Sequence, residues 1–346
     1  MSGTSTDGVD LCYARFTNHD QDGWKYHIAA AKSYDYPEQL RKTLLEVVDA
    51  SAEEIYHLDI QLAKTFAECI HEFIDAFQLN PEEIDAIASH GHTVFHQPEK
   101  GLTVQIGCGA TLAQRTGIDV INDFRTKDVT LGGQGAPLVP IGDKLLLKDQ
   151  ADAFLNIGGF ANICIPKSPI VAFDTCPGNL PMNWICENQW NIQFDKDGEK
   201  AKFGTVNEKA LNQLNNLPYY RESGPKSLGV EWLKSEFWPI VRGLDPSDGL
   251  RTIIAHISDQ ISQIVSKYDV KKLMISGGGG KNGFLMNEIA KKSACEIVLP
   301  DDVMIEFKEA LIFGFLGALF LADHVNVLSE VTGAQKDSKS GILHKA

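Results

Sequence analysis

Lys272-Leu273-Met274-Ile275-Ser276-Gly277-Gly278-Gly279-Gly280-Lys281-Asn282 decides the reading of the fold. An apolar, strand-like run ends in four glycines, and a helix-like segment (284–293) follows. In α/β proteins, nucleotides sit at such strand-to-helix turns, beyond the carboxyl ends of the strands. Four consecutive glycines are costly in chain entropy, which favours a loop that brings backbone amides close to an anion. The stretch is neither a Walker A loop nor a G-x-G-x-x-G fingerprint opening on a first strand.

Working outward, strand-like and helix-like segments alternate. Residues 153–158 and 161–165 are apolar strands joined through Asn156-Ile157-Gly158-Gly159-Phe160-Ala161-Asn162, and 170–174 is a third. Residues 9–17 and 24–34 form another strand pair. Between 53 and 78, Ile55, Leu58, Leu62, Phe66, Cys69, Ile70, Phe73 and Phe77 recur at helical spacing, and Ser51 with Glu54 makes a capping box. Further strands are expected at 84–89, 103–107, 118–122 and 296–299, and helices at 250–268 and 306–323. Each half opens with a strand pair, so the expected fold is α/β, two related domains with a nucleotide or substrate cleft. The boundary is expected near 124–140, and the polar tail from about 326 is expected to pack loosely on the surface.

Composition narrows the function. With 43% hydrophobic and 23% charged residues, the chain of 346 is an ordinary globular one. Its net charge of −14 repels nucleic-acid phosphates and argues against a polyanion binder. One small phosphorylated ligand remains possible, since backbone amides bind phosphate without cationic side chains. Seven cysteines without a Cys-x-x-Cys pair argue against a disulfide framework or zinc ribbon and suit a reducing cytoplasm. The amino terminus does not read as a signal peptide. The longest apolar run, Ala310 to Ala322, is shorter than the roughly 20 residues of a membrane span and reads as a buried helix.

Several stretches carry chemistry. Gly3-Thr4-Ser5-Thr6-Asp7-Gly8-Val9-Asp10 combines glycines, hydroxyls and two carboxylates; it suits a phosphate loop in which an Asp such as Asp7 holds the nucleotide's magnesium, or else a polar turn. Asp123 follows an apolar strand, where it can act as a general base or cap a turn. His90, His92 and His96 allow a metal site, although His90 fits better as a residue facing the cleft. Glu309, expected on the first turn of the 306–323 helix, either complements the helix dipole or offers an acceptor to the cleft. Asp174-Thr175-Cys176-Pro177-Gly178-Asn179 ends a strand. A Cys/His protease reading of Cys176 lacks a marked base or oxyanion hole, and Asp195-Lys196-Asp197-Gly198 lacks the later ligands of a calcium loop.

The order of these motifs resembles the anhydro-N-acetylmuramic acid kinases. It runs from Met1–Asp10 through His90-Gly91-His92-Thr93-Val94-Phe95-His96, Asp123-Phe124-Arg125 and Gly132-Gly133-Gln134-Gly135-Ala136-Pro137, then the 156–162 and 174–179 stretches, Gly277-Gly278-Gly279 with Asn282, and Glu309-Ala310. The resemblance implies two RNase H-like domains of the sugar kinase, Hsp70 and actin type, spanning 1–124 with 326–346, and 125–325. It implies cytoplasmic Mg-ATP-dependent opening of a 1,6-anhydro sugar by water with phosphorylation of O6, in cell-wall recycling, by an enzyme that admits a homodimer. By resemblance Asp123 is the base. Gly3, Thr4, Ser5, Thr6, Asp7, Gly8, Val9, Asp10, Gly158, Gly159, Gly277, Gly278, Gly279 and Asn282 bind ATP, and His90, Arg125 and Glu309 bind the sugar.

Some positions depart from the family pattern. Thr6 stands where Leu or Met is usual, Cys108 where Asp is common and Cys176 where Gly is usual. Phe307-Lys308 replaces an acidic residue and Met. The family pattern also places an apolar strand ahead of Met1, so the first strand is expected to be half missing. A kinase-like binding protein without turnover, or a metal hydrolase built on the histidines, are the competing expectations.

Overall fold

A computed structural model describes residues 1–2, 6, 8–19, 23–222 and 226–346. Two compact units make up the chain, Met1–Leu146 with Phe307–Ala346, and Leu147–Glu306. The sequence expectation put 125–146 and 307–325 in the second domain, but both belong to the first unit. Asp128 bonds Thr332, Lys144 pairs with Glu330, and Gly142 packs on Ile312, so these stretches are tied to the carboxyl-terminal part of that unit.

The second unit holds one five-stranded sheet. Strands β7 (Ala153–Ile157), β8 (Phe160–Ile165) and β9 (Val171–Pro177) run as an antiparallel meander; β10 (Lys272–Ser276) lies parallel to β7, and β11 (Glu296–Val298) parallel to β10. The order is β11-β10-β7-β8-β9. That order, with three antiparallel strands followed by two parallel ones, is the RNase H-like arrangement. Ala153, Leu155 and Ile157 are fully buried, because a central strand covered on both faces reads as an apolar run. The helix Pro246–Lys267 supplies one cover with Leu250, Ile253, Ile257 and Ile261, and begins where the Asp245 carboxylate accepts from Ser247 N.

Among the described residues the first unit divides its strands among three sheets. They are the hairpin β1 (Gly8–His19) with β2 (Gly23–Asp35), the pair β4 (His92–Gln97) with β5 (Leu102–Ile106), and β3 (Ile87–Ala88), β6 (Val120–Asn122) and β12 (Ile342–His344) in the order β12-β6-β3. Helix α1 (Ala52–Ala76) starts at the predicted Ser51–Glu54 capping box and buries Leu58, Leu62, Phe66, Ile70 and Phe73. Helix α2 (Asp302–Leu321) is apolar on nearly every side, and its Phe315 packs on Phe16 and Trp24. It starts four residues earlier than predicted, which places Glu309 two turns in rather than on the first turn.

The tail is not loosely packed. β12 pairs antiparallel with β6, and Asn326 bonds Ser340 through both ends of its amide, at 2.8 and 2.7 Å. Ser340 is fully buried, and its polar neighbours explain how a polar stretch docks tightly. Among the described residues no helix is long and apolar enough to cross a membrane.

Candidate functional site

In the second unit, three loops meet beyond the carboxyl ends of β7 and β10. Gly178 N donates to Gly159 O at 2.9 Å, and Asn179 N to Gly158 O at 2.8 Å, which ties the end of β9 to the β7–β8 turn. The Asn179 side chain reaches Ile157 O at 3.3 Å. Gly277 takes a φ of 81°, and a Cβ there would lie 2.4 Å from Asn156 Oδ1. At Gly279 a Cβ would lie 2.3 Å from Ile157 Cγ2, and at Gly178, 2.4 Å from Gly158 O. These glycines therefore let three backbone segments touch.

Gly158 and Gly278 differ. A Cβ on either would meet nothing closer than 3.6 Å. Their backbones border open space, as a loop that admits a phosphate requires. Gly159 is crowded only by the flexible Leu180 side chain, at 3.0 Å. Asn282, expected to bind nucleotide, uses its side-chain oxygen to cap the helix Gly283–Lys292 through Leu285 N at 3.1 Å.

Cys176 is fully buried, and burial pushes its thiol up to about 12. It holds negligible thiolate at neutral pH, which removes the Cys/His protease reading. The Asp195 carboxylate accepts from Lys200 N and Ala201 N and so closes a turn.

In the first unit, Asp123 directly follows β6. Its φ is 56°, a left-handed conformation that Asp tolerates better than most residues. One carboxylate oxygen accepts from Thr126 N at 3.1 Å. Among the described residues no hydrogen bond reaches the other oxygen. The predicted cap and an open acceptor are therefore present in one side chain.

Arg125 turns the other way. Its Nε and Nη2 donate to His90 Nε2 at 3.0 and 2.9 Å, and Nη1 donates to Gly135 O at 2.6 Å. His90 consequently carries its proton on Nδ1, which donates to Gly91 O at 2.9 Å. Burial first, then the neighbouring guanidinium, pulls the His90 imidazole down to about 3, so it is neutral at physiological pH. Both ring nitrogens are engaged within the protein, and His90 orients Arg125.

Glu309 reaches solvent yet is densely surrounded by protein. That crowding raises its carboxyl above the usual range, against the opposing pull of Arg125 and Lys308. Burial lowers Arg125 to about 10 despite the attraction of Glu309, and it stays charged.

His92 faces Ser2 Oγ at 3.3 Å, and His96 faces Thr103 Oγ1 at 3.1 Å, so the three histidines have three different polar partners. Among the described residues no cluster of three His, Cys, Asp or Glu could hold a metal ion.

Asp128 was not singled out from sequence. It is fully buried, accepts from Thr332 Oγ1 at 2.7 Å and Gly135 N at 2.8 Å, and so shapes the 132–137 loop against which Arg125 rests. Its partner lies 204 residues away, and no local pattern could have shown it.

Of the expected phosphate loop, Gly3, Thr4, Ser5 and the magnesium candidate Asp7 lie outside the described residues. Thr6 is buried with a φ of 54°, and a Cβ on Gly8 would lie 2.3 Å from Tyr34 O. Val9 points into the core. The Asp10 carboxylate accepts from Ser33 Oγ at 2.5 Å.

The strand order and glycine loops define an α/β protein of the sugar kinase, Hsp70 and actin kind. A family profile described as anhydro-N-acetylmuramic acid kinase matches residues 1–346, and the chain belongs to that family. Curated relatives carry the same description. One from Vibrio vulnificus (strain CMCP6) is 36% identical, covering 99% of this chain and 96% of the relative. One from Neisseria meningitidis serogroup C (strain FAM18) is 34% identical, covering 97% and 95%. One from Sulfurimonas denitrificans is 33% identical, covering 100% and 98%. Among solved structures, the activator of 2-hydroxyisocaproyl-CoA dehydratase from Clostridium difficile with bound ADPNP aligns at 9% identity over 87% of this chain and 92% of its own, with a TM-score of 0.40.

Proposed function

We propose that the protein is an ATP-dependent kinase that opens the 1,6-anhydro ring of anhydro-N-acetylmuramic acid with water and phosphorylates O6, giving N-acetylmuramic acid 6-phosphate in the cytoplasm. The observation that carries this reading is Asp123, with one oxygen fixed by Thr126 N and the other open. A fixed carboxylate with one open oxygen can accept a proton from an attacking water. Water bonds to the anomeric carbon as the bond from that carbon to O6 breaks, and the water's proton passes to Asp123. The electron pair left on O6 makes it the nucleophile for the γ-phosphoryl group, whose bond to the β-phosphate oxygen breaks as ADP leaves.

Arg125, held by His90 and Gly135 O, keeps its charge and steadies the anionic sugar, with Glu309 as a hydrogen-bond acceptor. Gly158 and Gly278 fit a nucleotide held by backbone amides, because nothing fills the space beside them. Magnesium then enters as the counter-ion of the phosphates and would neutralise charge on them.

The test is mass spectrometry of the product formed from ATP, magnesium, the anhydro sugar and heavy-oxygen water. One heavy oxygen at the anomeric carbon together with phosphate on O6 is expected. Phosphorylation without that label, or ATP loss independent of the sugar, would overturn the reading.

A further inference from the structure

Helix α2 is apolar on nearly every side, yet it carries a buried lysine, Lys308. The Lys308 amine meets Asp143 Oδ1 at 2.7 Å, and the two side chains are only 7% and 1% exposed. Asp143 belongs to the short helix Pro140–Leu145, which follows the 132–137 loop. Lys308 is also one of the positions that depart from the family pattern. A buried ion pair adds little net stability over apolar packing, because both charges give up water. Its surer effect is on registry: either charge left without the other is costly, so the two helices are held to one arrangement.

The neighbouring positions show what that registry fixes. Residues four apart share a helix face. Lys308 and Ile312 both face the helix Pro140–Leu145, since a Cβ on Gly142 would lie 2.6 Å from Ile312 Cγ1. Glu309 and Phe313 form the next stripe round. The Phe313 ring lies 4.7 Å from that of His90 and 5.8 Å from that of Phe124, so this stripe faces the residues around Arg125. Glu309 itself is exposed, whereas Lys308 is buried. Apolar contact has no direction, so Gly142 against Ile312 does not by itself set the rotation of α2. The ion pair does.

The other side of the frame is fixed through the same segment. Arg125 Nη1 donates to Gly135 O, and Gly135 N donates to Asp128 Oδ2. The 132–137 loop thus holds Arg125 and then runs into the helix that carries Asp143. A continuous path leads from Arg125 through Gly135, Asp143 and Lys308 to Glu309.

We propose that Lys308 is a positioning residue: through Asp143 it sets the rotation of α2, and with it the place of the Glu309 carboxylate relative to Arg125 where the anionic sugar binds. This rests on the reading in which Arg125 and Glu309 hold the sugar. Several charged groups face Glu309. Crowding raises its carboxyl and Asp10 acts in the same direction, while Arg125, Lys308 and the Met1 amine oppose them.

The test compares the full chain with three variants. Lys308→Met together with Asp143→Ala removes both charges, so that neither is left buried alone. Asp143→Asn keeps the shape and weakens the pair, and it decides the matter if the double variant does not fold. Lys308→Arg keeps the charge. Melting temperature, kcat and the KM values of sugar and ATP are read. The double variant is expected to raise the KM of the sugar by about tenfold, with the KM of ATP within about twofold of the parent. Asp143→Asn should move the sugar KM the same way by about threefold, and Lys308→Arg should keep it within about twofold. A pair that only holds the fold together would lower the melting temperature and leave the sugar KM unmoved, and that result overturns the proposal. So does a Lys308→Arg chain that melts like the parent yet loses as much sugar affinity as the double variant.

The Glu309 carboxyl is also titrated by carbon-13 NMR without sugar. The double variant should raise its midpoint by about half a pH unit or more, because the carboxylate loses Lys308 and its fixed place beside Arg125; Lys308→Arg should not. This arm keeps the two readings apart. An unsubstituted chain that makes no product sinks the kinase reading, and the Glu309 midpoint then decides the role of Lys308 alone. A midpoint unmoved in the folded variants that weaken the pair overturns it.

Discussion

The second unit forms its candidate site from backbone, and the first from side chains. In the second, Gly277, Gly279 and Gly178 bring three chain segments into contact, and the open space lies beside Gly158 and Gly278. In the first, a ring of directed bonds holds Arg125, His90 and the 132–137 loop, and Asp123 stands apart with one anchored oxygen. A phosphate is recognised by any converging set of amides, so main chain suffices. Proton transfer needs one particular group, so a side chain must be placed. Substitutions should therefore act on chemistry in the first unit and on architecture in the second.

The largest contrast is expected at Asp123. Asn keeps the acceptor for Thr126 N and tolerates the left-handed backbone, but it cannot take a proton from water at neutral pH. Asp123→Asn should lower turnover on the order of a hundredfold to ten-thousandfold, with stability changed by less than about 0.5 kcal/mol. Steady-state rates and a thermal melt measure both. Turnover within a few-fold of the parent would leave Asp123 as a cap alone.

Next comes a pair of glycines in the second unit. Gly277→Ala strains a positive φ and meets two groups of β7, so it should cost about 2–3 kcal/mol. Gly278→Ala meets only Asn179 Nδ2, at 3.6 Å, and should leave stability nearly unchanged while weakening nucleotide binding. Urea melts and nucleotide titration separate the two. The reverse ranking would break the distinction between packed and open glycines.

Acid sharpens the comparison differently, since each unit buries a histidine that is held neutral. His256 accepts from Tyr220 OH at Nε2 and donates from Nδ1 to Asn215 Oδ1. Burial holds both His90 and His256 near 3, below their ordinary 6.5. Below pH 6.5 the unfolded chain binds protons that the folded one refuses. Stability is thus full above 6.5 and falls as pH drops toward 3, by up to about 1.4 kcal/mol per pH unit for each group. Denaturant melts from pH 7 to 4 should show this slope, and His256→Gln should reduce it. A flat profile would mean that these imidazoles are not held neutral.

The smallest effect belongs to Asn282. Asn282→Ala removes a helix cap and should cost about 1 kcal/mol, with nucleotide affinity kept within a few-fold. A larger loss of affinity, seen by titration, would return Asn282 to the nucleotide site.

What was legible in the sequence follows from range. The strands read at 153–158 and 272–276, the capping box at Ser51 and the position of Asp123 at a strand end are local patterns, and the structure has them within a residue of where they were read. The docking of 326–346 and the grip of Asp128 on Thr332 depend on partners far along the chain. The unit boundaries were misread for the same reason. His90 was read as facing a ligand because a histidine after a strand has that look, whereas both its nitrogens serve Arg125 and Gly91.

The pairing of β12 with β6 has a consequence for how the polypeptide emerges from the ribosome. The strand that leads into Asp123 is flanked by β3 on one side and by residues 342–344 on the other. The second unit is complete in sequence once residue 306 has been made. Domains generally fold as units during synthesis, the earlier one first, but here the later-starting unit can close first. The amino-terminal half must wait, its β6 edge unpaired, until residues 342–344 have been made.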